Sequence, residues 1–236
     1  LTNYAPEVPA PSIIYTISGE LYTSVMGPDN EERIVWLLEK IEGSTYAKFK
    51  PQSLALIEDV GQVVGAVDKA WENFEHPALE RDFKWNLCQG DWITQESSVI
   101  KDPPKSAVID DIIQQFAQIK PRLLRLKPQA IHNDVNDYNL IVDGSLTQRA
   151  HVTGLIDLGD MCASPRICNL AITAAYMVLD QRNPEQVLEA IVKGYHRQYP
   201  LTPEELELRW PLLRMRLAVS VINSTLMAIE NPNDPY

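Results

Sequence analysis

Two short stretches of the chain concentrate side chains that could bind a metal ion and move a proton. The first, AIHNDVNDYNLIVDG over residues 130–144, places a histidine, aspartates and asparagines directly before an apolar run. The second, GLIDLGD over residues 154–160, ends another apolar run with two acids. Because a buried carboxylate or amide must be hydrogen-bonded, paired or bound to a metal, the first stretch is either a solvated turn or an active-site loop.

The two apolar runs predict a β-hairpin. Folding NLIVDG and VTGLID back on a turn near Gln148 brings Asn139 opposite Asp157. An amide oxygen beside a carboxylate is the hard oxygen ligation that Mg2+ accepts while it keeps waters and phosphate oxygens. Asp134 lies on the other side of the same loop and could orient a substrate hydroxyl near a metal-bound phosphate. This pattern favours an active-site loop for phosphoryl transfer.

The elements that must position these loops divide the chain into two parts. SIIYTI, ELYTSVM and RIVWLLEKI predict short antiparallel strands, and the spacing of apolar residues becomes helical between Gly43 and Pro51. The strands are too few for a domain of their own and must pack on the later part of the chain.

The second part reads as a series of helices around the two loops. One of them, KSAVIDDIIQQFAQIKPRLLRL, places Val108, Ile112, Phe116 and Ile119 on one face. These four residues are therefore expected to face the core.

Composition excludes several classes of protein. With 45% hydrophobic residues and a net charge of -11, the chain predicts a globular protein that does not bind nucleic acid and suits a cationic or metal-bridged ligand. Three cysteines without CxxC spacing indicate neither a disulfide framework nor a zinc site, which favours a reducing cytoplasm. The apolar runs are short for a bilayer span and no signal peptide is recognisable, so we expect a soluble cytoplasmic protein without a membrane partner.

The motifs resemble those of a known family. HNDVNDYN has the spacing H-x-D-x-x-x-x-N, and IDLGD is similar to the metal-binding Asp-Phe-Gly element with leucine for phenylalanine. Together they resemble the kinase-like phosphotransferases of the aminoglycoside phosphotransferase and choline kinase group. The longer segment GLIDLGDMCASPRICNLAITAAYMVL resembles the hydroxylysine kinase branch, including bacterial forms fused to aminotransferase-like domains.

This resemblance implies an α+β, protein-kinase-like fold with two lobes. Residues 1–45 would be the remnant of the small β lobe and the hinge, so that the N-terminal lobe is incomplete. Residues 46–236 would form a mainly helical C-terminal lobe that carries the catalytic and metal loops.

The resemblance also assigns roles within the two loops. Asp134 would be the catalytic aspartate, and Asn139 and Asp157 would be the Mg2+ ligands. His132 would support the loop, although a histidine beside a buried strand is more often a structural hydrogen-bonding residue than a base.

Further residues take their expected roles from the same family. Backbone groups near Leu38, Glu39 and Ile41 in the hinge would meet the base of ATP or GTP. Asp160 would either touch metal-bound water or substrate, or cap the next helix. The segment FEHPALERDFKWNL resembles the part of this branch that lies near the acceptor pocket.

The sequence departs from the family pattern in three ways. The glycine loop and lysine that cover the phosphates precede the first matching residues, and Lys40 is a poor substitute for that lysine. The chain also ends at NPNDPY, where the branch has a further segment, so we expect additional residues at both ends. Asn169 stands where related enzymes tend to have an acid.

The leading hypothesis is a small-molecule kinase. It would use Mg2+ and move the γ-phosphoryl group of ATP or GTP to a hydroxyl of a small cationic metabolite, either an amino alcohol or a hydroxylated amino acid. One alternative is a catalytically incomplete, kinase-like binding module of a larger fused polypeptide. Another is a metal-dependent phosphohydrolase in which water attacks. The acceptor, the nucleotide base and the oligomeric state stay open at the level of sequence.

Overall fold

The first part of the chain forms two separate β ribbons. The computed structural model describes residues 8–145 and 148–232. The four strands of the ribbons are β1 (Ile13–Ile14), β2 (Thr23–Met26), β3 (Glu32–Val35) and β4 (Leu37–Leu38). Antiparallel pairing joins β1 to β4 and β2 to β3, and every residue of these strands is exposed. Their apolar side chains are therefore not buried by the rest of the described chain.

Two small antiparallel sheets carry the loops of interest. Their strands are β5 (Ser44–Thr45), β6 (Pro128–Ile131), β7 (Leu140–Ser145), β8 (Gln148–Leu155) and β9 (Cys162–Pro165). One sheet has the order β5-β7-β8 and the other pairs β6 with β9. Because β7 and β8 are paired, the predicted hairpin is confirmed; the tip of its turn, residues 146–147, lies outside the described residues.

Helices form most of the remainder. They are α1 (Leu54–Ala70), α2 (Ile93–Glu96), α3 (Pro103–Leu123), α4 (Arg166–Met177), α5 (Pro184–Gln198) and α6 (Pro203–Glu230). α1 packs along α5, and α6 packs on α3 and α4. The close approach of α1 and α5 requires glycine, because a Cβ on Gly194 would overlap the carbonyl of Glu58.

The predicted face of α3 is correct in its centre and wrong at its start. Ile112 and Phe116 are buried and Ile119 packs against the core, whereas Val108 is 54% exposed. Ile109 takes the buried position instead. Val108 and Ile109 are both apolar, so the sequence allows either of them on the buried face. The spacing from Ile109 to Ile112 and Phe116 sets that face, and Val108 lies at its edge.

One helix has the composition of a membrane span, although the apolar runs of the sequence are short. An 18-residue window of α6 has a mean hydropathy of 1.4, and 44% of that window is buried within the protein. A core helix has the same composition, and α6 contributes Leu208, Leu212 and Met215 to the hydrophobic core.

Candidate active site

Strand pairing brings the two predicted loops together. The first loop, residues 132–139, connects β6 to β7, and the second, residues 156–161, connects β8 to β9. Because β6 pairs with β9 and β7 pairs with β8, each loop is held next to the other at both of its ends.

The end of the hairpin places Asn139 one residue away from its predicted partner. Leu140 pairs with Leu155, and the Ile156 N–H donates to the Asn139 carbonyl at 3.0 Å. Asn139 therefore faces Ile156, and Asp157 is the next residue. The hairpin begins with Ser145 opposite Gln148, and two irregularities in the β7–β8 register each add a residue to β8. Without them Asn139 would face Gly154, so the bulges bring Asn139 close to Asp157.

Asp157 leaves the strand in an unusual backbone conformation. Its φ of 64° and ψ of 75° lie in the left-handed region, which few residues other than glycine adopt. The carboxylate is exposed and accepts a hydrogen bond from the Gly159 N–H at 3.3 Å. Strained backbone of this kind is concentrated at functional sites.

The Asp134 carboxylate lies between Asn139 and a buried arginine of α6. The Asn139 amide nitrogen donates to the Asp134 carbonyl at 2.8 Å and to Asp134 Oδ2 at 3.0 Å. Asn136 Nδ2 donates to Oδ2 at 2.9 Å, and Arg216 Nη2 donates to Oδ1 at 3.2 Å. Four contacts thus set the position of Asp134 and Asn139 relative to each other and to α6.

Charges and burial act on Asp134 in opposite directions. Burial raises the pKa of the Asp134 carboxyl, and the negative charges of Asp160 and Asp157 raise it further. The Arg216 guanidinium and the hydrogen bond from Asn136 lower it. The three carboxylates are therefore close enough to influence one another, as expected where several acids share one site.

His132 holds the two loops together. With the proton on Nε2, the ring donates to the Ile156 carbonyl at 3.0 Å, and Nδ1 accepts from the Asp134 N–H at 3.2 Å. The side chain is fully buried, and burial lowers the pKa of the imidazole. A neutral imidazole that makes two hydrogen bonds suits the supporting role predicted for His132.

A buried chain of hydrogen bonds anchors the first loop from below. Asn133, at a φ of 66°, donates its N–H to Asn169 Oδ1 at 3.0 Å. Asn169 Nδ2 in turn donates to Asp68 Oδ1 at 2.7 Å, and the Tyr195 hydroxyl donates to Asp68 Oδ2 at 2.8 Å. Asn169 thus connects the first loop to a buried acid, Asp68 of α1.

Asp160 does not cap the next helix. β9 intervenes, and α4 begins after Pro165 without a side-chain cap. Burial raises the pKa of the Asp160 carboxyl, and Arg81 opposes this rise. Arg81 also donates to the Gly159 carbonyl at 2.9 Å, so the segment predicted to lie near the acceptor pocket contacts the second loop.

The residues predicted to bind the nucleotide base have two different environments. Leu38 and Glu39 are exposed on the first ribbon, where the Glu39 N–H donates to the Ser12 carbonyl at 2.9 Å. Ile41 packs over Gly154 of β8, because a Cβ on this glycine would meet the Ile41 side chain at 2.7 Å. Of the three, Ile41 is the one whose side chain packs against the β7–β8 hairpin.

The donor atoms suit Mg2+. Both hydrogen bonds from the Asn139 amide nitrogen go to Asp134, which turns the amide oxygen away from that residue. Within the described ranges, no three His, Cys, Asp or Glu side chains form a metal-binding group by themselves. An ion that keeps waters and phosphate oxygens needs only a few hard oxygen ligands from the protein, and Asn139 and Asp157 offer two.

Comparison with known proteins identifies the family. Residues 1–208 match the model of APH, described as the phosphotransferase enzyme family. The chain belongs to this family. The family predicted from the two motifs is therefore confirmed.

Similar sequences agree with the predicted branch, and a similar solved structure agrees with the predicted fold. Hydroxylysine kinase of Xenopus laevis is 29% identical over 229 residues, which cover 91% of this chain and 61% of the relative. Hydroxylysine kinase of Danio rerio is 28% identical over 240 residues, covering 97% and 67%. A solved structure, amicoumacin kinase hAmiN in complex with AMP-PNP, Ca2+ and Ami, has a TM-score of 0.66 at 13% identity and covers 99% of this chain and 77% of that chain.

These matches confirm the kinase-like α+β fold. They cover only part of the length of the relatives. The chain spans between 52% and 67% of the length of four hydroxylysine kinases.

Two residues of the site escaped prediction. Arg216 and Asp68 lie on helices far from the motifs in sequence, and each has only a general helical pattern around it. A single charged residue in such a pattern is most simply read as part of a solvated face, so no local signal marks it for a site.

Proposed function

We propose that the chain carries the active site of a small-molecule kinase. It transfers the γ-phosphoryl group of ATP or GTP to a hydroxyl of an amino-containing metabolite. The observation that supports this most directly is the arrangement of Asp134, Asn139 and Asp157 across two loops held by paired strands.

Asp134 has the contacts that an acceptor-orienting carboxylate needs. Hydrogen bonds from Asn136, Asn139 and Arg216 hold the Asp134 carboxylate in place. Its side chain is still 21% exposed. An exposed oxygen of this carboxylate can accept a hydrogen bond from a substrate hydroxyl and orient it toward the phosphoryl group.

Asn139 and Asp157 are the side chains that would hold Mg2+. When bound, the ion would supply positive charge that neutralises the phosphoryl group during transfer. The protein contributes the fixed positions of both oxygen donors, since His132 and the Ile156 N–H tie the two loops together.

Hydroxylysine is the first acceptor to test. The two relatives that share about 28% identity over nearly the whole chain carry the name hydroxylysine kinase. This supports a hydroxylated amino acid or an amino alcohol as acceptor class, while the donor base is left to experiment.

The proposal is tested first by ligand-dependent stability. The melting temperature of the chain is measured with Mg2+ alone, with Mg-ATP and with Mg-GTP, for the wild type, Asp157→Ala and a control, Asp143→Ala. Asp143 lies on the same hairpin, further along β7, and bonds its neighbour Gly144. At about a hundred times the Kd, mass action adds roughly 2.7 kcal/mol of stability, which raises the melting temperature measurably.

Each outcome bears on one of the rival functions. A magnesium-dependent rise that Asp157→Ala loses and Asp143→Ala keeps, together with phosphate transfer to hydroxylysine, supports the kinase. A rise in melting temperature without phosphate transfer to hydroxylysine favours the binding module. Phosphate release that is faster without any acceptor than with one favours the phosphohydrolase. The absence of both a rise in melting temperature and phosphate transfer refutes the kinase.

A further inference from the structure

Two cysteines that are distant in sequence meet behind the loops of the site. Cys88 and Cys168 are 80 positions apart, and their Sγ atoms lie 4.0 Å from each other. Both thiols are free, as is that of Cys162, the third cysteine of the chain. The fold therefore forms a thiol pair that the spacing of the cysteines does not indicate.

The contacts of the pair make one sulfur the stronger nucleophile. Cys88, in the 3-10 helix Leu87–Trp92, has its Sγ 3.4 Å from Ser164 Oγ of β9. The hydrogen bond with Cys168 lowers the pKa of the Cys88 thiol most, and Ser164 and the charge of Lys120 lower it further, against the effect of burial. The same hydrogen bond, together with burial, raises the pKa of the Cys168 thiol. Cys88 therefore forms the thiolate, which is the reactive species.

Access from solvent distinguishes the sulfurs in the same order. Cys88 is 9% exposed, whereas Cys162 and Cys168 are fully buried. Burial raises the pKa of the Cys162 thiol to about 12, so this thiol stays protonated. A small neutral oxidant such as hydrogen peroxide therefore reaches Cys88 first, and Cys168 is the cysteine in contact with it.

We propose that a peroxide oxidises Cys88 and Cys168 to a reversible disulfide, and that this bond loosens the first loop of the site. In the first step the Cys88 thiolate attacks an oxygen of hydrogen peroxide, the O–O bond breaks, and the leaving hydroxide takes up the proton that Cys88 released. The Cys168 sulfur then attacks the sulfenic sulfur of Cys88, the S–S bond forms, and the hydroxyl leaves as water with the Cys168 proton. Two thiols are oxidised, the peroxide is reduced, and one disulfide and two waters result.

The disulfide would lie between the two groups that hold Asn133 of the first loop. Asn133 Nδ2 donates to the carbonyl of Trp85, three positions before Cys88, at 3.3 Å. The Asn133 N–H donates to Oδ1 of Asn169, the residue after Cys168, at 3.0 Å. Because the sulfur atoms must approach from 4.0 Å to about 2 Å, both supports of Asn133 lie close to a point that moves.

Mass spectrometry of the chain after treatment with hydrogen peroxide tests the modification. The wild type should become lighter by two hydrogen atoms, keep one free thiol of three, and show a crosslink between the peptides of Cys88 and Cys168 that dithiothreitol removes. Cys168→Ala lacks the second thiol, so its Cys88 sulfenic acid should react with dimedone on the order of tenfold more than that of the wild type. Cys162→Ala is the matched control and should form the same crosslink as the wild type.

Three results would overturn the modification. One is a crosslink that contains Cys162, and another is a crosslink between two copies of the chain. The third is a treated wild type that keeps all three thiols although its methionines are oxidised. Each is read from the wild type alone, so it counts even if a variant does not fold.

Hydrogen exchange tests the effect on the first loop without any substrate. The amides of residues 132–139 should exchange about tenfold faster in the oxidised wild type than in the reduced protein, because the hold on Asn133 is weaker. Cys88→Ala, treated in the same way, should show no change. An unchanged rate in the oxidised wild type overturns the loosening of the loop.

The disulfide and the kinase fail in different ways. A crosslink between Cys88 and Cys168 in a chain that transfers no phosphate when reduced keeps the disulfide and removes the kinase. Phosphate transfer by a chain that forms no such crosslink keeps the kinase and removes the disulfide.

Discussion

Replacing Asp68 with asparagine should make the stability of the protein less dependent on pH. Asp68 is fully buried on α1, and this burial raises the pKa of its carboxyl from 3.8 to about 7, although the Tyr195 and Asn169 hydrogen bonds oppose the rise. Between these two values the folded state keeps a proton that the unfolded state has released. Stability due to this group therefore falls as the pH rises through the window and becomes constant above about pH 7.

The size of the effect can be worked out from linkage. A rise in pKa from 3.8 to about 7 lowers the free energy of unfolding by roughly 4 kcal/mol across the whole pH window. About 2 to 3 kcal/mol of this loss falls between about pH 5 and about pH 8. Asparagine has the shape of the protonated acid, with one oxygen to accept from Asn169 and an N–H group to donate toward the Tyr195 oxygen. Asp68→Asn should therefore match the wild type within about 1 kcal/mol near pH 5 and exceed it by about 2 to 3 kcal/mol near pH 8.

Urea unfolding at the two pH values measures this difference. Asp111→Asn serves as the control for removing one negative charge, since Asp111 is 55% exposed and bonds Arg214 on the surface. Its difference from the wild type should be the same at both pH values. A constant difference for Asp68→Asn, or one that turns against the variant at the higher pH, would refute the reasoning that burial controls this carboxyl.

Two further substitutions test the packing that positions the site. Gly194→Ala should lower the free energy of unfolding in urea by about 2 to 3 kcal/mol, because its Cβ meets the Glu58 backbone. Gly90→Ala should lower it much less, because its Cβ meets the flexible end of Met215 at 3.1 Å and Val219 at an ordinary contact distance of 3.6 Å; equal losses would contradict this. Asn169→Asp should lose about 3 kcal/mol or more near pH 8 because it faces Asp68 with a second buried carboxylate, and adding Asp68→Asn should restore stability. A double variant no more stable than the single one would exclude this direct contact.

Local features of the fold and of the site could be predicted because they depend on residues close in sequence. Asp134 and Asn139 are five positions apart in one loop, and the hydrogen bonds between them arise within that loop. The β7–β8 hairpin is specified by two apolar runs separated by a short turn. The helical faces could be read from spacing, except where adjacent apolar residues such as Val108 and Ile109 compete for one position.

The sequence by itself determined the family, the order of the elements and the residues of the two loops. Only the tertiary structure decided that Asn139 faces Ile156, since bulges shift a register without a sequence signal. It likewise decided that Arg216 contacts Asp134 and that Asp68 anchors Asn169, across 82 and 101 positions of the chain. Such contacts depend on how whole helices pack, and packing is set by the summed fit of many side chains rather than by any short pattern.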